Sequence, residues 1–164
     1  MVIGESKYYD FGFILERIPE WEDDSFKNGI MFLMINGAIY PKSARTTTFN
    51  CELPDLLSEK SAMMSPVVDR ELFRLDSETL FEKLADITYG RERDALYDMR
   101  YMIPFHEIND ARFSVFIVSD GEEVRLLVGK DREVALILDN EIKLKKEKYM
   151  KVINKLKEFY ETLK

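Results

Sequence analysis

The run Phe113-Ser-Val-Phe-Ile-Val-Ser-Asp-Gly-Glu-Glu-Val-Arg-Leu-Leu-Val-Gly129 constrains the chain more than any other. Two apolar, β-branched segments, Val115 to Val118 and Val124 to Val128, flank Ser119-Asp120-Gly121-Glu122-Glu123. Asp-Gly is a strong hairpin signal, because glycine accepts the positive φ that tight turns require. Neither segment alternates between apolar and polar residues, so the pattern predicts two central strands with little solvent on either face. Such a hairpin must be covered by other elements, and the remaining sequence supplies them.

Upstream, Tyr8 to Ile18 is aromatic and β-branched and ends at Pro19, which predicts a strand whose Phe11, Phe13 and Leu15 share a core face. Gly29 to Gly37 is an apolar run closed by Asn36-Gly37, and Ala38-Ile39-Tyr40 can return as its hairpin partner. Ala44 to Leu53 reads as a further strand. Pro54 to Lys60 reads as a short helix with proline in its first turn. A better helix runs from a cap at Asp76 or Ser77 through Ile87, with Gly90 as its stop. Arg91 to Arg100 is a charged helical or loop segment, Tyr101 to Phe105 a short extended piece, and Glu133 to Leu138 an edge or next strand. At the end, Tyr149, Val152, Ile153, Leu156, Phe159, Tyr160 and Leu163 form one helical stripe, with lysines largely off it. The order predicts one α+β domain over residues 1–164, with a mostly antiparallel sheet, a long C-terminal amphipathic helix and shorter helices in the middle of the chain.

Several function classes are disfavoured. The apolar runs are far shorter than the roughly 20 residues of a membrane helix. Residues 1–7 lack the pattern of a secretory signal, and the single cysteine allows no internal disulfide, so a reducing, cytoplasmic setting is expected. The scattered glycines form no phosphate-binding loop, and no metal-ligand spacing appears; no cofactor or metal is expected. Of the net charge of −7, residues 141–164 contribute eight Lys and four Glu, or +4, which leaves −11 on residues 1–140. An acidic body repels nucleic acid and anionic membranes and attracts basic partners.

Candidate chemistry is sparse. His106, with Glu107 or Asp110 nearby, is the residue on which a small enzyme would depend. Cys51 is expected to be a buried, inert thiol. The feature that stands apart is Glu20-Trp21-Glu22-Asp23-Asp24, in a predicted surface loop. Either Trp21 folds back onto the core while the acids keep the loop solvated, or it is an interface anchor whose acidic surround suits a Lys/Arg-rich surface. Glu20, Trp21, Glu22, Asp23 and Asp24 are therefore the candidate partner-binding residues, with Glu122 and Glu123 of the hairpin turn as a second acidic patch.

The order of Met1-Val-Ile-Gly4, Phe11-Gly-Phe-Ile-Leu-Glu16, Asn28-Gly29, Ile35-Asn36-Gly37, Val115-Phe-Ile-Val118, Asp120-Gly-Glu122 and Val124-Arg-Leu-Leu127 resembles immunity protein family 42. The resemblance runs through most of the chain and lies in strand and turn signatures, not reactive residues. It implies a small cytoplasmic protein of bacterial polymorphic-toxin and contact-dependent inhibition systems that binds a cognate toxin C-terminal domain, with a nuclease as one candidate toxin type, and blocks its active site without being an enzyme. The alternatives are a small enzyme built on His106 and a non-inhibitory adapter domain.

Overall fold

The computed structural model describes residues 1–4, 10–90, 98–132 and 135–164. The first sheet is built from β1 (Val2–Gly4), β2 (Phe11–Arg17), β3 (Asn28–Ile35), β4 (Ala38–Tyr40) and β5 (Thr46–Thr48), all antiparallel, in the order β1-β2-β3-β4 with β5 beside the start of β3. The β3–β4 turn is the expected one, with φ of 45° at Asn36 and 78° at Gly37. The second sheet holds β6 (Phe113–Ser119), β7 (Glu123–Asp131) and β8 (Leu136–Lys145), also antiparallel. The expected sheet is thus divided in two.

Both faces of the second sheet are covered, which is why its strands do not alternate. One face carries Val115, Ile117, Val124, Leu126 and Val128 against the inward residues Phe13, Leu15, Met31 and Leu33 of the first sheet. The other carries Phe116, Val118 and Leu127 against Leu80, Phe81 and Leu84 of α3 (Ser77–Tyr89). By pairing, β7 is central and β6 is a ladder edge, a departure from the expected pair of central strands. That edge is closed by main-chain bonds, Ser119 N–H to Val67 O at 2.9 Å and Ile103 N–H to Val115 O at 2.8 Å, so it offers no open strand.

The helices follow local rules except at one place. Asp76 caps α3 by accepting from Thr79 N–H, and Gly90 follows its last turn at φ 60°, as the sequence predicts. The C-terminal helix α5 (Lys146–Glu161) buries Tyr149, Val152, Ile153 and Leu156, while Lys151, Lys155 and Lys157 face solvent. Tyr149 stacks on Phe11 at 5.1 Å and donates to Met63 O at 2.7 Å, tying α5 to the first sheet and the middle of the chain. The strand expected over Ala44 to Leu53 is confined to Thr46–Thr48. The chain then turns into α1 (Phe49–Leu56), so Pro54 lies inside a helix and not in its first turn. Phe49, Leu53 and Leu56, all 0% exposed, supply the reason: at i, i+4 and i+7 they share one face on the core. Of the extended piece expected over Tyr101 to Phe105, Tyr101 closes a 3-10 turn over Met99–Tyr101, and the chain is extended from Met102, which bridges to Phe116, to Phe105. The rest of the charged segment at 91–97, the start of the first predicted strand at Tyr8 and Tyr9, and residues 133 and 134 lie outside the described residues.

Candidate functional site

The loop from β2 to β3 holds the main candidate residues, and its own hydrogen bonds shape it. A 3-10 turn over Pro19–Trp21 leads into Glu22, whose carboxylate takes Arg17 through Nε at 2.5 Å and Nη2 at 2.8 Å, with Lys27 Nζ at 3.8 Å. The Arg17 guanidinium holds the Glu22 carboxyl below its ordinary range. Asp23 accepts from the backbone N–H groups of Ser25 and Phe26 at 2.7 and 2.8 Å, an Asx turn. Asn28 donates to Trp21 O at 2.6 Å, and Asn50 of α1 bonds both Lys27 N–H and Ser25 O. The loop is therefore held from both sides.

Trp21 does not fold onto the core. It is 47% exposed, and Phe26, which the sequence reading passed over, is 46% exposed on the same loop. Glu20, Asp23 and Asp24 are exposed beside them. The loop's two cations, Arg17 and Lys27, are both directed to Glu22, so the remaining carboxylates set the local charge. The only signal for Phe26 was an aromatic residue within a polar, turn-forming run.

Phe26 also lines a shallow hollow of about 300 Å³ with Asn28, Thr48, Cys51, Glu52, His106 and Glu107. Cys51 is exposed there, contrary to the buried thiol expected of it, because α1 turns Phe49, Leu53 and Leu56 inward and leaves position 51 outside. His106 opens α4 (His106–Asp110) and pairs with neither Glu107 nor Asp110. Its Nδ1 lies 3.3 Å from Glu52 Oε2 and its Nε2 lies 3.0 Å from Asp55 Oδ2, while Glu107 takes Arg45 at 2.9 Å. Glu52 Oε1 accepts the His106 backbone N–H at 2.9 Å, and so stands in for the side-chain cap that Phe105 cannot provide. Burial pushes the Glu52 carboxyl up to about 7, opposed by that N–H and by the imidazole.

The second acidic patch is elsewhere. Glu123 lies between Lys143 at 3.2 Å and Lys145 at 3.5 Å, and Glu122 O accepts Lys146 N–H at the start of α5. At the other end of α5, Phe159 packs edge-on against Phe49 at 5.4 Å, and the Phe49 N–H bonds Lys27 O below the Glu20–Asp24 loop. From Lys146 to Phe159 the helix rises roughly 20 Å. The structure brings Glu20, Trp21, Asp23, Asp24 and Phe26 together and leaves Glu122 and Glu123 apart from them.

A larger cavity, of about 740 Å³, lies between α3 and the second sheet; Tyr89, Met102, Asn109, Arg112, Ser114 and Leu136 are among its walls. Tyr89 and Ser114 share a hydroxyl hydrogen bond of 2.6 Å across it. Among the described residues, no group of His, Cys, Asp and Glu is arranged to hold a metal ion, and no helix is long and apolar enough to cross a membrane.

Comparison with known proteins gives the class first: an immunity protein, which binds and neutralises a cognate toxin domain. The family is immunity protein 42, whose profile matches residues 1–159, and the chain belongs to it. Among solved structures, the crystal structure of CdiI from Burkholderia dolosa AUO158 superposes with a TM-score of 0.77 at 19% identity, covering 95% of this chain and 97% of that one. This likeness shows a shared fold. No curated protein matches the sequence.

Proposed function

We propose that this protein neutralises its toxin as a non-catalytic, one-to-one inhibitor, with the Glu20–Asp24 loop seated on a basic surface of the toxin and occluding its active site. The observation that carries this reading is the exposure of Trp21 (47%) and Phe26 (46%) beside Glu20, Asp23 and Asp24, on a loop already fixed by Arg17–Glu22, the Asp23 turn and Asn50. Exposed aromatics on a preorganised frame make interface anchors, since little side-chain freedom is lost on binding. The acids around them speed encounter with a cationic partner. A nuclease, whose substrate groove must be basic to hold a phosphate backbone, is the toxin class that best matches. The two carboxylates flanking His106, one of them capping a helix, fit a structural histidine better than a catalytic one.

The test is co-expression with the toxin domain encoded beside this gene, followed by binding kinetics. Trp21→Ala should weaken binding at least tenfold. Glu20→Lys with Asp24→Lys should slow association and flatten its salt dependence. Unchanged association by both variants would remove the loop from the interface.

A further inference from the structure

The first sheet has a second face that neither core uses. Inward residues of β2 and β3 alternate with outward ones, and the register places the outward ones in rows: Val2, Ile14 and Phe32 across β1, β2 and β3; Gly4, Gly12, Met34 and Ile39 across β1 to β4; Glu16, Ile30 and Thr46 across β2, β3 and β5. Val2 is 51% and Ile39 40% exposed, and Ile14, Ile30 and Phe32 are partly exposed. None of these five belongs to either hydrophobic core or packs against one. Met34, with its Cε 3.0 Å from where a Gly12 Cβ would stand, is only 3% exposed, so the open part of the face is the strip from Val2 through Ile14 and Phe32, with Ile30 and Ile39 at its ends. Unlike the second sheet, which has α3 on its far side, this one has no described helix there.

We infer that this face is the apolar centre of the toxin interface and that the acidic loop is its rim. The inference rests on the reading of the loop given above, and names the rest of the surface. Continuity supports it: Asn28 and Thr48 pair on the same outward side as Ile30, line the hollow with Phe26, and Asn28 holds Trp21 O. Strand spacing of ~4.8 Å and a rise of ~3.3 Å per residue give the apolar rows an area of about 300 Å². A stable interface needs about 800 Å² per partner, so the rows alone are too small for a second copy of this chain, and the area is reached only by including the loop. That loop carries uncompensated carboxylates on a chain of net charge −7, which repels another copy and attracts a cationic protein. The occupant is therefore a toxin domain presenting an apolar patch fringed with Lys or Arg.

The experiment measures binding of the full-length protein to the toxin domain, by surface plasmon resonance, with circular dichroism and melting as fold controls. Ile14→Thr with Phe32→Thr puts strand-compatible, β-branched residues at both positions and should raise Kd at least 100-fold through faster dissociation, leaving the salt dependence of association unchanged. If that variant is folded and binds within twofold of wild type while Glu20→Lys/Asp24→Lys loses binding, the face is excluded and the loop reading stands. The converse pattern supports the face and overturns the loop. A wild type that sediments as a dimer, and becomes monomeric in the double variant with toxin affinity unchanged, assigns the face to a second copy and overturns the inference. Should the double variant not fold, Ile39→Thr replaces it: a tenfold loss supports the face, and unchanged affinity overturns it.

Discussion

Glu52, 2% exposed on α1, places Oε2 3.3 Å from His106 Nδ1 and Oε1 2.9 Å from the His106 backbone nitrogen. Fifty-four positions separate the two residues in sequence, and their meeting joins α1 to the start of α4. Burial raises the folded-state pKa of Glu52 from its ordinary 4.5 to about 7. A carboxyl shifted upward binds its proton more tightly in the folded state. Its contribution to stability is therefore complete below about pH 4.5 and is lost as pH rises through about 7. At about 1.36 kcal/mol per pH unit, the loss is on the order of 3 kcal/mol. Urea unfolding between pH 4.5 and 7.5 should show this decline in the wild type and not in Glu52→Gln; parallel profiles would show that Glu52 is not the group responsible.

Arg125 reaches from the far face of β7 with its guanidinium buried. Nε donates to Glu141 at 2.6 Å, and Nη1 donates to Phe73 O and Leu75 O, each at 2.7 Å. It thereby satisfies carbonyls at the end of α2 (Arg70–Phe73), whose Phe73 belongs to the second core. Arg125→Ala should cost about 3 kcal/mol, because the carbonyls and Glu141 lose their donor inside the protein. Arg125→Lys should recover less than half of that, since an ammonium lacks the planar fork. Equilibrium denaturation checks both values.

Two glycine substitutions separate lack of space from backbone conformation. A Cβ on Gly29 would meet Phe49 Cε2 at 2.6 Å and come closer still to the Glu16 carbonyl, whereas at Gly37 nothing lies within 4 Å but φ is +78°. Gly29→Ala should cost about 3 kcal/mol, as β2 and β3 must separate. Gly37→Ala should cost about 1 kcal/mol, from the left-handed backbone alone. Similar melting temperatures for the two variants would contradict this ordering.

Cys51 gives a chemical probe of the hollow beside Phe26. An exposed thiol should react with iodoacetamide in the native protein within a few-fold of its rate in urea. Complex formation with the toxin domain should slow the reaction at least tenfold, because Cys51 and Phe26 line the same hollow. Unaltered reactivity in the complex would place the contact away from it.

What could be read along the chain was what local rules decide. The Asn36-Gly37 and Asp120-Gly121 turns, the Asp76 and Gly90 ends of α3, and the apolar stripe of α5 all appear where the residues predict them. The start of α1 was not legible. The β-branched Thr46 to Thr48 run leads into it, Thr48 makes no side-chain cap, and the helix is selected by Phe49, Leu53 and Leu56 reaching the core. Of the site, the acidic run around Trp21 was visible as a run, but the exposure of Trp21 and the part played by Phe26 were not.

The sequence by itself determined the α+β class, the hairpins, the α5 stripe, the acidic balance and, through its order of strand and turn signatures, the resemblance to the family. Each of these depends on residues close together in the chain or on sums over it. Tertiary structure alone decided which apolar strands are covered twice and which once. Val115 to Val118 and Ile30 to Ile35 look alike in sequence, yet α3 closes the far face of the first, and no described helix closes that of the second. Coverage depends on where distant elements dock, and so does the meeting of Glu52 with His106, which is why neither can be read from neighbouring residues.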